Sequence, residues 1–273
     1  MPRSNLANRL LAAAVALPLM LLLIFKGPPE GWLALVAAAA LIGSLELYGM
    51  THPQDRVSQV VCSILTLGVM AVLWLFGASA RSLLTLMLLL PIASTVLVLS
   101  RLGDIQTAAL RVTAGVFGPL YLGGGLGAAV LLRRDGGDDG PGFVLLALML
   151  SWLSDTGAYF AGRFLGKRKL YEAVSPKKTV AGAVGGLGGA VVGALLAHFW
   201  YLRSLPLEHA LVLAIVAGAL GQAGDLGESL LKRSFGIKDS GGIIPGHGGI
   251  LDRVDALLVT SSILYLYVLW MRF

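Results

Sequence analysis

Nine apolar segments, separated by polar or glycine-rich stretches, most constrain what this chain can fold into. They occupy residues 10–24, 32–50, 57–76, 83–99, 112–132, 143–159, 180–201, 208–222 and 256–270. A helix needs about 20 apolar residues to cross the hydrocarbon core of a bilayer. We therefore predict an all-α, polytopic membrane protein with about nine transmembrane helices.

Composition supports this prediction. Only 13% of the residues are charged, whereas a soluble domain carries about a quarter. This composition excludes a single soluble globule, a disordered chain and a coiled coil. The first segment is followed by Phe25-Lys26-Gly27-Pro28-Pro29 rather than by a small-residue cleavage site. We expect it to be a membrane helix, not a cleaved signal peptide.

The distribution of basic residues predicts the orientation. With the N-terminus inside and nine crossings, 15 of the 21 lysines and arginines fall on the inner side. The positive-inside rule therefore favours an inner N-terminus and an outer C-terminus. The basic residues are not gathered into a soluble basic domain, so we expect no nucleic-acid partner.

The seventh segment has a regular pattern of glycines. Gly185, Gly189 and Gly193 recur every four residues, as do Gly182 and Gly186. Small residues on one helix face allow a neighbouring backbone to approach closely. We interpret the pattern as tight helix packing.

Charged residues concentrate between the last two apolar segments. Nine of the chain's charged residues fall within 31 positions, and they are Asp225, Glu228, Lys232, Arg233, Lys238, Asp239, Asp252, Arg253 and Asp255. Charges close to hydrocarbon usually pair, bind ions or line a wet cavity. Asp225 and Glu228 are three residues apart, as are Asp252 and Asp255, so each pair shares one face of a helix.

A glycine-rich loop separates these two acidic pairs. Five glycines and one proline lie within residues 240–249, and such a loop lets backbone N–H groups, including those of Gly248 and Gly249, approach a phosphate. Carboxylates that can hold Mg²⁺ and cations that can hold phosphate flank it. His247, inside it, is a candidate acid/base, although a loop hydrogen bond or a phosphate contact is the alternative.

A second candidate site opens the seventh segment with Ser175-Pro176-Lys177-Lys178-Thr179. Hydroxyls, cations and a helix N-terminus together favour phosphate binding, and Ser175 is positioned to cap the helix. Asp155 is an acid within an apolar segment, which indicates function by default. The alternative is that Asp155 pairs with Arg163.

Taken together, these residues resemble the signature of the phosphatidate cytidylyltransferase family, also called CDP-diglyceride synthases. The resemblance covers roughly residues 152–255. It is carried by Asp155 to Lys167, by Ser175 to Thr179, and by Ser229, Lys232, Arg233, Lys238, Asp239, Pro245, Gly246, His247, Gly248, Gly249, Asp252, Arg253 and Asp255.

The resemblance implies that CTP and phosphatidate react to give CDP-diacylglycerol and pyrophosphate. It also implies a multi-span helical fold, dependence on Mg²⁺, and a homodimer in contact with membrane lipid. The site would face the cytoplasm from a bacterial inner (plasma) membrane. We expect one integral membrane domain over residues 1–273, with N-terminal helices over 1–140 and a catalytic region over 141–273.

The residue roles follow from this chemistry. We assign Asp225 and Asp252 as leading metal ligands, supported by Asp255, Asp239 and Glu228, and the number of carboxylates suggests a second cation such as K⁺. Phosphates of CTP and pyrophosphate are assigned to Lys232, Arg233, Lys238 and Arg253. A phosphate of lipid or CTP is assigned to Ser175, Lys177, Lys178 and Thr179, and we expect Asp155 to orient a lysine or bind nucleotide.

Two alternatives remain open from sequence. A CTP-dependent polyprenol kinase would move a γ-phosphate onto an alcohol and would need a base to deprotonate the hydroxyl. A non-enzymatic anion transporter with a broken, glycine-rich helix would bind an anion without turnover.

Overall fold

The computed structural model describes residues 3–241 and 248–271 of the protein. Its helices are α1 Arg3–Lys26, α2 Pro29–Thr51, α3 Arg56–Phe76, α4 Ala80–Ser100, α5 Ala108–Gly118, α6 Gly125–Asp135, α7 Gly140–Leu165, α8 Val180–Leu196, α9 Leu207–Ser234 and α10 Leu251–Met271. Two short antiparallel strands, β1 Lys169–Tyr171 and β2 Ser175–Thr179, lie between α7 and α8. The predicted all-α fold class is confirmed, with this hairpin as an addition.

The predicted membrane crossings are present in the structure. Within the two described ranges, eight helical stretches are long and apolar enough to span a bilayer, and α1 adds the shorter apolar stretch Ala16–Lys26. Each of these stretches coincides with one of the nine apolar segments of the sequence. The protein is therefore a polytopic membrane protein.

One crossing lies at the centre of the bundle. Residues Ile105–Asp135 form a continuous apolar stretch in which α5 and α6 are joined by the π-helical turn Pro119–Gly124. Pro119 has no backbone N–H, so the regular hydrogen-bond ladder cannot pass through this position unchanged. In the most apolar 18-residue stretch of this crossing, 72% of the residues are buried inside the protein.

Apolar side chains occur both inside the bundle and on its outer surface. Phe143 and Leu146 of α7 and Leu264 of α10 are fully buried. Met87 and Leu88 on α4 are 67% and 58% exposed. A helix can present such residues outward when its surroundings are lipid rather than water.

The hairpin corrects one local prediction. Ser175 does not cap α8, because it lies at the start of β2 opposite Tyr171. The cap is Thr179, whose Oγ1 accepts a hydrogen bond of 3.0 Å from the N–H of Gly182. Pro176 lacks an N–H and holds the preceding residue in an extended conformation, which delays the start of the helix.

The glycine pattern of the seventh segment produces close packing of α8 against α7. A Cβ at Gly189 would collide with the backbone carbonyl of Leu153, and a Cβ at Gly185 would collide with Ala161. The face of α8 that carries these glycines therefore lies directly against the backbone of α7. This contact places the ends of α7 and α8 around the cavity described below.

We predict that Gly189→Ala destabilises the protein, whereas Gly188→Ala does not. A methyl group at residue 189 must push α8 away from Leu153, and such overpacking costs about 1–3 kcal/mol. A Cβ at Gly188 meets open space. Thermal unfolding of the detergent-solubilised proteins should show a lower midpoint for Gly189→Ala alone, and equal midpoints would contradict the packing described here.

Candidate functional site

An open cavity of about 530 Å³ lies where α7, α8, α9 and α10 meet the hairpin. Its lining comes from the C-terminal part of α7, the N-terminal turn of α8, the second half of α9 and the first turns of α10. The lining residues are Asp155, Ala158, Tyr159, Gly162, Arg163, Leu170, Lys177, Lys178, Thr179, Gly182, Ala183, Gln222, Asp225, Asp252 and Asp255. The cavity thus brings together the two candidate sites that lie far apart in sequence.

Three carboxylates converge beside this cavity, of which Asp225 and Asp255 line it and Glu228 does not. Asp225 and Glu228 from α9 and Asp255 from α10 each offer an oxygen, and these oxygens lie within 4.8 Å of one another. Glu228 is only 1% exposed, and its Oε1 is buried without a hydrogen-bond partner. Like charges held this close in an apolar bundle repel unless a cation or protons neutralise them. The donor set and the unsatisfied oxygen fit a hard divalent cation.

Two lysines are interleaved with these acids. Lys178 of β2 forms an ion pair of 2.7 Å with Asp225. Lys232 lies between Glu228, at 3.2 Å, and Asp252, with which it forms a second ion pair. The first pair ties the hairpin to α9, and the second ties α9 to α10.

Asp252, predicted as a leading metal ligand, lines the same cavity as Asp225 but has additional partners. Its Oδ1 accepts from Lys232. Its Oδ2 accepts from the N–H of Ser240 at 3.1 Å, the Ser240 hydroxyl at 3.0 Å and the N–H of Gly249 at 3.1 Å. The geometry therefore favours Glu228 and Asp255 as the companions of Asp225. Metal ligation by Asp252 stays a prediction.

The other predicted site residues, which include Asp239 as a supporting metal ligand, fall into three groups. Lys177 and Lys178 line the cavity, and Arg253 lies close enough to Asp155 for electrostatic interaction. Arg233 instead donates to the carbonyls of Val174 and Ile237, which fastens the end of α9 to the hairpin. Lys238, Asp239 and Ser175 are absent from the cavity lining, and their assigned roles stay predictions.

Two predicted residues of the glycine-rich loop, Gly248 and Gly249, have a structural role in the backbone. Gly248 has a φ of +79°, which favours glycine, and the N–H of Gly249 already donates to Asp252. That their backbone N–H groups donate hydrogen bonds to a phosphate stays a prediction. His247 lies outside the described residues.

The alternative for Asp155, a pair with Arg163, is not what the structure shows. Arg163 donates to the Tyr159 hydroxyl at 2.6 Å. Asp155 instead lines the cavity together with Lys178 and Asp225. This placement supports a role for Asp155 in the cavity.

Sequence reasoning missed Glu46 and Gln222. Gln222 lines the cavity and donates to the carbonyl of Ala183 at 3.1 Å. Glu46 of α2 is 7% exposed and accepts hydrogen bonds from residues 240, 250 and 251. Its signal was present, because an acid within an apolar segment indicates function, as for Asp155.

Curated relatives of the chain carry one common name. Proteins named phosphatidate cytidylyltransferase align from Staphylococcus haemolyticus (43% identity over 133 residues), Bacillus subtilis (45% over 123) and Brucella suis (44% over 157). The aligned regions cover 49%, 45% and 56% of this chain and 51%, 46% and 55% of those proteins. The chain therefore spans about half the length of the curated relatives it matches.

The family comparison covers nearly the whole sequence. Residues 7–271 match the cytidylyltransferase family. This range includes the residues that build the cavity, from Asp155 to Asp255. The chain belongs to the cytidylyltransferase family.

Proposed function

We propose that the protein is a membrane nucleotidyltransferase that converts CTP and phosphatidate to CDP-diacylglycerol and pyrophosphate. One observation carries the proposal: a three-carboxylate cluster and Lys178 meet at one cavity between membrane helices. The family match and the name of the relatives support the nucleotide and lipid substrates.

The proposed reaction joins two anions. An oxygen of the lipid phosphate attacks the α-phosphorus of CTP, a new P–O bond forms, and the bond to the β-phosphate oxygen breaks to release pyrophosphate. The attacking oxygen is already ionised, so no strong base is required. Catalysis must instead come from positioning and charge neutralisation.

Lysines on the hairpin are suited to bind phosphate. Lys177 and Lys178 line the cavity from β2, and Lys178 is held by Asp225. In our proposal this ion pair orients the Lys178 ammonium towards a phosphate group. Arg163, fixed by Tyr159 on α7, adds a third cation to the lining.

The carboxylate cluster is the proposed Mg²⁺ site. Asp225, Glu228 and Asp255 would hold the ion, and Asp252 remains a further candidate ligand. Bound Mg²⁺ would neutralise phosphate charge and orient the phosphates of CTP. Asp155 and Asp252, beside the cluster, support the expectation of a second cation such as K⁺.

The apolar surface beside the cavity suits a lipid substrate. Phe160 and Phe164, on the same end of α7 as Arg163, are 53% and 73% exposed. We propose that the acyl chains stay in the bilayer along this surface while only the phosphate enters. A bacterial inner membrane location with a cytoplasmic site, and a homodimer, remain part of the proposal.

The proposed function predicts a defined product from purified protein. With phosphatidate, Mg²⁺ and labelled CTP, we expect CDP-diacylglycerol and pyrophosphate in equal amounts. In a parallel assay with a polyprenol in place of phosphatidate, a phosphorylated prenol made from CTP would instead identify a lipid kinase. Binding of CTP without any product would identify an anion-binding transporter.

We predict that Lys178→Ala lowers kcat/KM by about 10²-fold, which is the loss typical of removing one preorganised hydrogen-bond donor. The pair is partly exposed to solvent, so its loss should change stability by less than about 1 kcal/mol. Lys26→Ala serves as the matched control, because Lys26 is exposed and absent from the cavity lining. Equal values of kcat/KM for both variants would contradict a role for Lys178 in binding phosphate.

We also predict that Asp255→Asn weakens divalent-cation binding at least 10-fold. The substitution removes one of the three converging carboxylates, and a neutral amide oxygen is a weaker ligand for a hard cation. Titration with Mn²⁺ followed by electron paramagnetic resonance measures this without turnover. Asp138→Asn is the control, because Asp138 is exposed and lies outside the carboxylate cluster. Unchanged Mn²⁺ affinity in Asp255→Asn would contradict the assignment.

A further inference from the structure

A buried acid in the N-terminal half of the chain contacts both flanks of residues 240–251, which we call the signature region. Glu46 of α2 accepts hydrogen bonds from the N–H of Ile250 at 3.1 Å, the N–H of Leu251 at 2.9 Å and the hydroxyl of Ser240 at 3.2 Å. Glu46 is 7% exposed. None of the ion pairs found within the described residues involves it.

The contacts with Ile250 and Leu251 fix the start of α10. Helix N-termini carry N–H groups that have no partner within the helix, and a carboxylate there also interacts favourably with the helix dipole. Glu46 supplies this carboxylate from a different helix. The first turns of α10 carry Asp252 and Asp255. The contacts of Glu46 therefore hold the part of the helix that bears these two acids.

The contact with Ser240 fixes the other flank of residues 242–247. The Ser240 hydroxyl lies within hydrogen-bonding distance of both Glu46 and Asp252, and Asp252 also accepts from the N–H of Gly249. Two carboxylates from separate helices therefore hold the two flanks together. A Cβ at Gly241 or Gly249 would collide with Glu46, which explains glycine at both positions.

We propose that Glu46 is a positioning residue for the reaction. It is absent from the cavity lining, so it acts through the residues it holds: by anchoring α10 and both flanks of residues 242–247 to α2, it keeps Asp255 in the carboxylate cluster. A buried carboxylate is expensive unless hydrogen-bonded, and these contacts satisfy it. The proposal rests on the proposed function for its catalytic consequence.

The test compares Glu46→Gln with Glu30→Gln, the same chemical change at an exposed position on the same helix. A glutamine presents an NH₂ group to one of the backbone donors, so the grip on Ile250 and Leu251 should loosen. We expect faster deuterium uptake in peptides covering residues 249–251. We also expect a kcat about 10–100-fold lower per folded enzyme, the range typical of outer-shell partners of a metal site, and at least 3-fold weaker Mn²⁺ binding. Glu30→Gln should match the unaltered protein in all three measurements.

Glu46→Asp keeps the carboxyl group on a side chain shorter by one methylene, so it should recover part of the lost kcat. This variant also provides a folded protein for the test where Glu46→Gln is unstable. Unchanged deuterium uptake, or faster uptake with unchanged kcat and Mn²⁺ affinity, would overturn the proposal. An unaltered protein that makes no CDP-lipid would instead refute the proposed function. In that case the Mn²⁺ affinity of Glu46→Gln, compared with that of the unaltered protein, still tests whether Glu46 positions the carboxylate cluster.

Discussion

Carboxylates within apolar helices are the constraint on which this structure depends. An acid that is wholly or partly withdrawn from water in the bundle needs a cation or several hydrogen-bond donors, because loss of hydration makes a carboxylate costly. Asp225 and Asp252 have lysines, and Glu46 has three donors from the signature region. Glu228 shares Lys232 and keeps one oxygen unsatisfied. These requirements connect α2, α9, α10 and the hairpin at one end of the bundle.

Close helix packing makes this arrangement possible. The glycines of α8 let its backbone lie against α7, so the hairpin that joins the two helices begins beside the end of α9. Lys178 can then reach Asp225 across the cavity. An interface built on larger side chains would separate α7 from α8 and move β2 away from the acids. The position of the cavity lysines beside the carboxylate cluster thus depends on a packing feature that carries no charge.

The sequence predicted the fold class well, because hydropathy is a local signal, and some of the charged residues that it singled out lie together in the structure. Each predicted crossing is helical, and Asp155, Lys178, Asp225 and Asp255 line one cavity. It did not indicate which of the acids would converge. Nothing local distinguishes Asp252, which holds Ser240 and Gly249, from Asp255, which joins Asp225 and Glu228. That difference arises from tertiary contacts, as does the role of Glu46, which lies about 200 residues from its partners in sequence.

The placement of Glu46 changes how the two halves of the chain should be regarded. A division into N-terminal helices and a C-terminal catalytic region suggests that the first half only anchors the second. Yet the signature region is held from both sides, by Asp252 within α10 and by Glu46 from α2. Glycines gain little stability from side chains of their own, so the described flanks at Ser240 and Gly249 depend on neighbouring elements to hold them. The N-terminal half is therefore part of the machinery that orders the site, and a cluster built from residues 141–273 alone would lack one of its two attachments.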